Sequence, residues 1–229
     1  MKIVELRDVK KIYKTGKIEY EALKGVDLEI NKGEFMAIIG PSGSGKTTLL
    51  NLIGCLDNTT SGKIFLEGED ITSLKPKDLT ELRRKKIGFI FQTFNLMPVL
   101  TVYENIEFPL FFNKVSSKIR KERVESLIEE LGLDNVSRHR VSDISGGQQQ
   151  RTAIGRALIK DPIIVLADEP TGNLDSETGM KIIELMKKLN KERGVTFLFV
   201  THDLMVMSYA EIVHRLRDGK IENERCNRM

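Results

Sequence analysis

An unbroken apolar run that leads directly into a glycine-rich loop and a helix-like stretch constrains the fold of this 229-residue chain more than any other feature. The run is Phe35 to Ile39, the loop is Gly40 to Thr47, and the helical pattern continues to Ile53. A strand without polar alternation is buried on both faces, as in a parallel sheet covered by helices. Three similar runs, at 87–91, 163–167 and 195–200, alternate with helical stretches. The sequence therefore predicts an α/β fold with a mainly parallel sheet.

Two other parts of the chain carry different patterns. Residues 2–30 alternate apolar and polar side chains, as Val4 and Leu6 do, and predict short antiparallel strands. From residue 93 to residue 160 apolar residues recur at helical spacing instead. We therefore expect a single domain. Its core comprises residues 1–92 and 161–229 and includes an N-terminal antiparallel β subdomain, while residues 93–160 form an inserted helical subdomain.

Composition and charge exclude several functions. With 36 basic and 33 acidic residues the net charge is +3, which is too mild for a nucleic-acid-binding face. No apolar run approaches the roughly 20 residues that cross a bilayer, and the first residues do not resemble a signal peptide. Cys55 and Cys226 lack the spacing of a zinc site or a disulfide framework. We expect a cytoplasmic protein that binds no nucleic acid, does not insert into the membrane and reaches it only through a partner.

The glycine-rich loop fits the phosphate-binding pattern G-x-x-x-x-G-K-[ST], and it stands between a strand and a helix as that pattern requires. Glycines let backbone N–H groups surround phosphates, and the helix N-terminus adds a positive dipole. Lys46 would neutralise the β- and γ-phosphates of a nucleotide, and the Thr47 hydroxyl would ligate Mg²⁺. These residues predict a P-loop NTPase core.

A second acidic element follows another apolar run. Asp168 directly follows the run 163–167, and Glu169 comes next. Asp168 could hold Mg²⁺ through its water shell, and Glu169 could polarise an attacking water. Acidic residues at such a position can also simply begin a loop or cap a helix. The phosphate-binding loop favours the functional interpretation.

A third motif narrows the class of enzyme. Residues 144–151 read Ile-Ser-Gly-Gly-Gln-Gln-Gln-Arg and resemble the signature of the ABC ATPase family, with Ile144 in place of the usual leucine. The resemblance extends along essentially the whole chain, because further motifs match in order. They are Tyr13 at the adenine-stacking aromatic, Gly40–Thr47 at the phosphate loop, Gln92 at the Q-loop, Ser145–Gln148 at the signature, Asp168 and Glu169 at the Walker B pair, residues 172–175 at the D-loop, and His202 at the switch histidine.

The resemblance implies a role for each matched residue. Glu169, His202, Gln92 and Lys46 would be catalytic. Thr47, Gln92 and Asp168 would hold Mg²⁺. The residues that would bind ATP are Tyr13, Gly40, Pro41, Ser42, Gly43, Ser44, Gly45, Lys46, Thr47, Thr48, Ser145, Gly146, Gly147, Gln148 and Asp175. The alternatives are an ordinary strand aromatic for Tyr13 and a helix cap or surface amide for Gln92.

The resemblance also implies partners. Two chains of such an ATPase close head to tail around two ATP molecules, each bound by the phosphate loop of one chain and the signature of the other. An integral membrane permease then docks beside Gln92, on the segment 93–110, and the ATPase lies at the inner face of the cell membrane. Residues 53–57, 91–98 and 167–175 are similar to the branch of lipoprotein-releasing, macrolide-exporting and cell-division ATPases.

Two other functions remain as alternatives. An ABC ATPase acting in cell division, on DNA or on the ribosome is one, although the long coiled coils or tandem cores usual in the last two groups are not evident in the sequence. A P-loop small-molecule kinase is the other, and it has no reason to carry the signature. One further residue departs from the family pattern: Gly155 stands where related sequences usually carry alanine, and it predicts a slightly softened helix.

Overall fold

A computed structural model describes residues 1–16, 18–113 and 115–226, and in these ranges the chain forms two sheets and seven α-helices. The strands are β1 (Lys2–Thr15), β2 (Ile18–Asn31), β3 (Phe35–Ile39), β4 (Ser61–Leu66), β5 (Glu69–Asp70), β6 (Ile87–Ile90), β7 (Ile164–Asp168), β8 (Thr196–Thr201), β9 (Ile212–Arg217) and β10 (Lys220–Cys226). The helices are α1 (Lys46–Ile53), α2 (Pro76–Lys86), α3 (Val102–Phe112), α4 (Ser117–Glu130), α5 (Gly146–Leu158), α6 (Ser176–Arg193) and α7 (Leu204–Tyr209).

The larger sheet has six strands in the order β10-β9-β3-β8-β7-β6. The strands from β9 to β6 run parallel, and only β10 pairs antiparallel. This confirms the predicted α/β core, with each predicted apolar strand in place. The prediction omitted β9, because the side chains of Arg215 and Arg217 point to solvent and interrupt the apolar pattern there.

The smaller sheet is antiparallel, in the order β2-β1-β4-β5. Its first two strands are 14 residues each, so the prediction of antiparallel pairing is confirmed and the prediction of short strands is wrong. Several register shifts interrupt the β1–β2 ladder, including one between Leu6 and Val9. Such bulges increase the twist and let long strands wrap over a core, and they also break the strict alternation that a sequence pattern relies on.

The hydrophobic core lies on both faces of the larger sheet. Phe35 and Ala37 of β3 pack on one side with α3, α4, α5 and α6. Met36 and Ile38 pack on the other side with α1, α2 and the antiparallel sheet. Neighbouring residues of a strand point to opposite faces, so a strand covered on both sides must be apolar at every position. This is the physical reason for the unbroken apolar runs.

Helices α3, α4 and α5 lie in the chain between β6 and β7, where the helical insertion is predicted. Thr101 and Glu104 form a capping box at the start of α3, which fixes where that helix begins. Ile154 of α5 belongs to the same buried cluster as Val165 of β7, so packing does not separate the helical subdomain from the core. The boundary between the two stays a prediction. No helix in the described part of the chain is long and apolar enough to span a membrane.

Gly155 lies on α5 where that helix packs against α3. A Cβ atom at this position would approach Leu131 Cδ1 to 2.8 Å and Ile106 Cδ1 to 2.9 Å. Both neighbours are fully buried. The glycine therefore permits close packing between helices, which the sequence-based prediction of a softened helix did not include.

We expect Gly155→Val to destabilise the fold by about 1–3 kcal/mol, because the added atoms overpack this contact. Urea unfolding followed by circular dichroism would measure the change. In an Ile106→Val background, which removes the Cδ1 atom, Gly155→Ala should cost less than it does alone. Equal costs in the two backgrounds would contradict the steric explanation.

Candidate functional site

The predicted site residues gather at the carboxyl edge of the parallel sheet. Ile39, at the end of β3, pairs with Thr201 of β8, and Val200 pairs with Asp168 at the end of β7. The phosphate loop, the Walker B pair and His202 therefore lie at the ends of neighbouring strands. Ligands of open α/β sheets bind at this edge.

The phosphate loop connects β3 to α1. Gly45, the residue before the helix, has φ = 105°, a left-handed conformation that favours glycine. The Lys46 ammonium donates to the Gly40 carbonyl at 2.8 Å and to the Pro41 carbonyl at 3.0 Å. The charge is therefore held over the loop. A Cβ at Gly40 would come within 2.1 Å of the Leu216 carbonyl, so close backbone packing requires glycine there.

One atom of this loop fits a phosphate ligand. Among the described side chains, the buried Ser44 hydroxyl has no hydrogen-bond partner. A buried polar group without a partner is costly, and a phosphate oxygen would supply one. Next to it, Gly43 has open space where a side chain would stand, while Pro41 and Ser42 are exposed. The loop therefore offers a buried donor and open space beside it, as a phosphate ligand requires.

Thr47 and Asp168 meet beside the loop. The Thr47 hydroxyl donates to Asp168 Oδ2 at 3.3 Å. Burial raises the pKa of the Asp168 carboxyl, and the adjacent Glu169 adds to the rise, while the Thr47 hydrogen bond and the Lys46 charge oppose it. A hydroxyl and a carboxylate side by side are oxygen ligands of the kind that Mg²⁺ prefers.

Glu169 is held by the end of β8. The Thr201 hydroxyl donates to Glu169 Oε2 at 2.7 Å, and the Glu169 Oε1 to His202 Nδ1 distance is also 2.7 Å. The Glu169 backbone has φ = 45°, which is unfavourable for a residue with a side chain. Its side chain is largely buried, whereas that of His202 is 77% exposed. The base and the histidine predicted from the sequence are therefore in direct contact.

Gln92 lies two residues beyond β6, next to the D-loop segment. The Asn173 amide donates to the Gln92 carbonyl at 2.9 Å. The Gln92 side chain covers Gly172, where a Cβ would come within 2.7 Å of Gln92 Nε2. The structure thus brings the Q-loop and D-loop positions together.

The signature forms the start of α5. The Ser145 hydroxyl accepts from the Gln148 amide at 3.4 Å, and Gln148 Oε1 accepts from the Ser145 amide at 2.9 Å, which makes a capping box. Gly146 packs near Leu174, and Gly147 packs near Thr178 of α6. Within the described residues, none of the hydrogen bonds of the signature reaches the phosphate loop of the same chain.

Asp175 and Tyr13 each have a structural partner. Asp175 caps α6 by accepting from the Thr178 amide at 2.9 Å, and hydrogen bonds from Thr178 hold the pKa of its carboxyl below the ordinary value. The Tyr13 hydroxyl donates to Asp57 Oδ2 at 2.9 Å. The Tyr13 side chain remains partly exposed beside α1.

Sequence reasoning missed Tyr20, which stands directly opposite Tyr13 in the β1–β2 ladder. Its hydroxyl donates to the Gly43 carbonyl of the phosphate loop at 2.9 Å. Its cross-strand position relative to Tyr13 was a usable signal, but only once the strand register was known.

Sequence reasoning also missed two polar residues beneath the Q-loop. The Arg156 guanidinium of α5 donates to the carbonyls of Phe94, at 2.9 Å, and of Asn95. The buried Asn105 side chain accepts from the Met97 amide at 2.9 Å and donates to the Thr101 carbonyl at 2.9 Å. Their partners are backbone atoms of a loop, which no residue pattern reveals.

Comparison with known proteins identifies the family. The profile of the family described as ABC transporter matches residues 23–172. An uncharacterised ABC transporter ATP-binding protein of Thermotoga maritima is 50% identical over 221 residues, which are 96% of this chain and 94% of that protein. The chain belongs to the ABC transporter family.

More distant relatives and solved structures agree. The macrolide export ATP-binding/permease protein MacB of Syntrophobacter fumaroxidans is 46% identical over 98% of this chain, which spans only 32% of MacB. The dimeric structure of the ATP-binding cassette MJ0796 in a post-hydrolysis state, bound to ADP and Pi, covers 99% of this chain at 47% identity with a TM-score of 0.90. The predicted family and P-loop fold are confirmed, and the chain is an ATPase cassette.

We expect Lys46→Ala to weaken ATP binding by roughly 10-fold to 100-fold, because a charge-assisted contact to the phosphates is lost. Equilibrium titration of a fluorescent ATP analogue would measure this. Lys63→Ala, which removes an exposed cation paired with Asp70 on the antiparallel sheet, is the matched control. Equal affinity for the Lys46 variant and the control would contradict the role of Lys46.

Proposed function

We propose that the chain is the ATPase subunit of a transporter whose membrane permease is a separate protein, of the lipoprotein-release or macrolide-export type. The observation that carries the ATP-hydrolysing part of this proposal is the contact of Glu169 with Thr201 and His202, on strand ends that neighbour the phosphate loop and the Thr47–Asp168 pair. Sequence similarity to MacB over 98% of this chain supports the type of transporter. The subunit would act in the cytoplasm, at the inner face of the membrane, through its permease.

The chemistry of hydrolysis follows from the position of each group. Lys46 neutralises the β- and γ-phosphates, and the loop amides and the Ser44 hydroxyl bind their oxygens. Glu169 accepts a proton from the attacking water, since its carboxylate stands at the sheet edge beyond the loop. His202, in contact with Glu169, orients this carboxylate and contacts the γ-phosphate. Positioning and charge neutralisation supply most of the rate enhancement in phosphoryl transfer.

Mg²⁺ is the cofactor that this site would hold. The Thr47 hydroxyl would ligate it, Asp168 would hold it through its water shell, and Gln92 is the third residue predicted to contact it. Bound there, the ion would neutralise charge between the β- and γ-phosphates. The protein supplies one hydroxyl and one carboxylate in contact, which suits an ion that takes its other ligands from phosphate oxygens and water.

The signature is proposed to act on the nucleotide of a second copy of the chain. Its capping box orders the start of α5, where amides and the helix dipole attract an anion. Since the signature makes no hydrogen bond to its own phosphate loop in the described residues, a partner's γ-phosphate is a suitable ligand. The dimeric state of MJ0796 supports this arrangement. Release of the γ-phosphate would then open the dimer.

We expect Glu169→Gln to retain ATP binding but lower turnover by about 100-fold or more, because an amide cannot accept the proton. With the γ-phosphate retained, the closed dimer should accumulate. Size-exclusion chromatography with ATP would show a dimer for this variant and mostly monomer without nucleotide.

The matched control is Glu177→Gln, an exposed glutamate of α6, which should hydrolyse ATP at the wild-type rate. A Glu169→Gln protein that stays monomeric in ATP would contradict the head-to-tail dimer. One that hydrolyses ATP normally would contradict the role of Glu169.

The permease is proposed to dock on the segment that follows Gln92. Arg156 and Asn105 hold residues 94–101 from inside, so this loop is ordered by the domain itself. Leu96 packs against the core, so not every apolar residue of this segment is available to a partner. Val99, in contrast, is 75% exposed. Val99 on this ordered loop is therefore available for contact with a partner, and the docking role itself rests on the family resemblance of the segment after Gln92.

We expect Val99→Glu to weaken permease association at least about 10-fold without changing ATP affinity, because a charge would be buried at the interface. Ile18→Glu is the matched control, since Ile18 is 74% exposed and lies on the antiparallel sheet. Co-purification of the ATPase with its permease would measure the effect. Normal association of a folded Val99→Glu protein would place the docking site elsewhere.

A further inference from the structure

Asp57 ends the branch-like stretch 53–57 and has no predicted role in the site, yet it accepts several hydrogen bonds. Its Oδ2 accepts from the Tyr13 hydroxyl at 2.9 Å, and its Oδ1 accepts from the Lys11 ammonium at 2.6 Å. Oδ1 also accepts from the Asn58 amide at 2.7 Å. Both carboxylate oxygens are therefore engaged, and two of the donors come from the same strand, β1.

Lys11 completes this cluster. Its ammonium lies 4.8 Å from the centroid of the Tyr13 ring, over one face of it. Its side chain is only 12% exposed, so the cation is held in place by Asp57 and by the Asn58 carbonyl at 2.7 Å. One face of the Tyr13 ring is thus covered by the cation, so a base could stack only on the opposite face of this partly exposed side chain.

The cluster also fixes the ring relative to the phosphate loop. The Asp57 amide donates to the Asn51 carbonyl of α1 at 3.3 Å, so Asp57 is tied to the helix that begins with Lys46 and Thr47. The Asp57 anchor of the Tyr13 hydroxyl therefore lies on the unit that carries the phosphate-binding residues.

We propose that Asp57 is a positioning residue for the nucleotide base. It holds the Tyr13 hydroxyl, and through Lys11 it backs the ring, so that the open face of Tyr13 stands at a fixed distance from the phosphate loop. The ligand is the purine ring of the nucleoside triphosphate. The proposal rests on the proposed ATPase function and on the adenine-stacking role that the family resemblance implies for Tyr13. A fixed aromatic face lowers the ordering cost of stacking a base.

The test compares Asp57→Ala, Tyr13→Phe and the double variant. Tyr13→Phe keeps the ring and removes only the hydroxyl that Asp57 binds. Each single variant should raise the KM for ATP by about twofold to tenfold, as expected for one hydrogen bond, while kcat at saturating ATP stays within about twofold of wild type. The KM of the double variant should be no higher than that of the more impaired single variant, because both changes remove the same hydrogen bond.

Inorganic tripolyphosphate with Mg²⁺ is the second probe, since it has phosphates and no base. Its affinity, measured by competition with a fluorescent ATP analogue, should be the same in wild type and in all three variants. A general structural defect in the loop would weaken tripolyphosphate and ATP alike, and that result would overturn the proposal. So would effects of the two single changes that multiply in the double variant.

Tyr13→Phe also decides the case if Asp57→Ala does not fold, because it is a mild change at a partly exposed side chain. Wild-type ATP affinity in Tyr13→Phe would overturn the role of Asp57. Failure of the stacking role itself gives a different result. If Tyr13 does not stack on the base, Tyr13→Ala binds ATP as wild type does. If Tyr13→Ala loses about tenfold or more and Tyr13→Phe loses nothing, stacking stands and positioning by Asp57 is wrong.

Discussion

Parallel pairing of β3, β8 and β7 is the constraint on which the site depends. Because Ile39 pairs with Thr201 and Asp168 pairs with Val200, the three strands end at the same height. The groups proposed to bind phosphate, hold a cation and accept a proton are each carried within a few residues of those ends. A shift of one strand by two residues would keep its buried face and move its functional group by about 7 Å. Core packing on both faces therefore sets the geometry of the chemistry.

Buried polar side chains have a comparable role in the helical region. Phe94 and Asn95 both have positive φ, and such a backbone turn persists only where its surroundings stabilise it. Arg156 supplies two donors to this turn, and burial lowers the pKa of its guanidinium. Arg156 lies on the same helix as the signature. The signature and the proposed docking loop are therefore both attached to one helix, α5.

Local patterns in the sequence predicted the phosphate loop, the buried strands and the order of the motifs, because each of these depends on neighbouring residues. Contacts between distant segments were not predictable in this way. Tyr20 and Asp57 reach the site from β2 and from the turn after α1, and their significance depends on the register of β1. The 14-residue strands were expected to be short because bulges interrupt their alternation. Gly155 was interpreted through helix propensity, although packing against Ile106 accounts for it.

The backbone conformation of Glu169 lowers the stability of the fold in exchange for a side chain at this position. A left-handed conformation costs a residue with a side chain roughly 1–2 kcal/mol more than it costs glycine, and Glu169 adopts φ = 45°. Glycine at this position would avoid this conformational cost. The glutamate instead provides the carboxylate that is proposed to accept a proton from water. The chain thus gives up part of a small margin of stability at a residue whose proposed role requires a side chain.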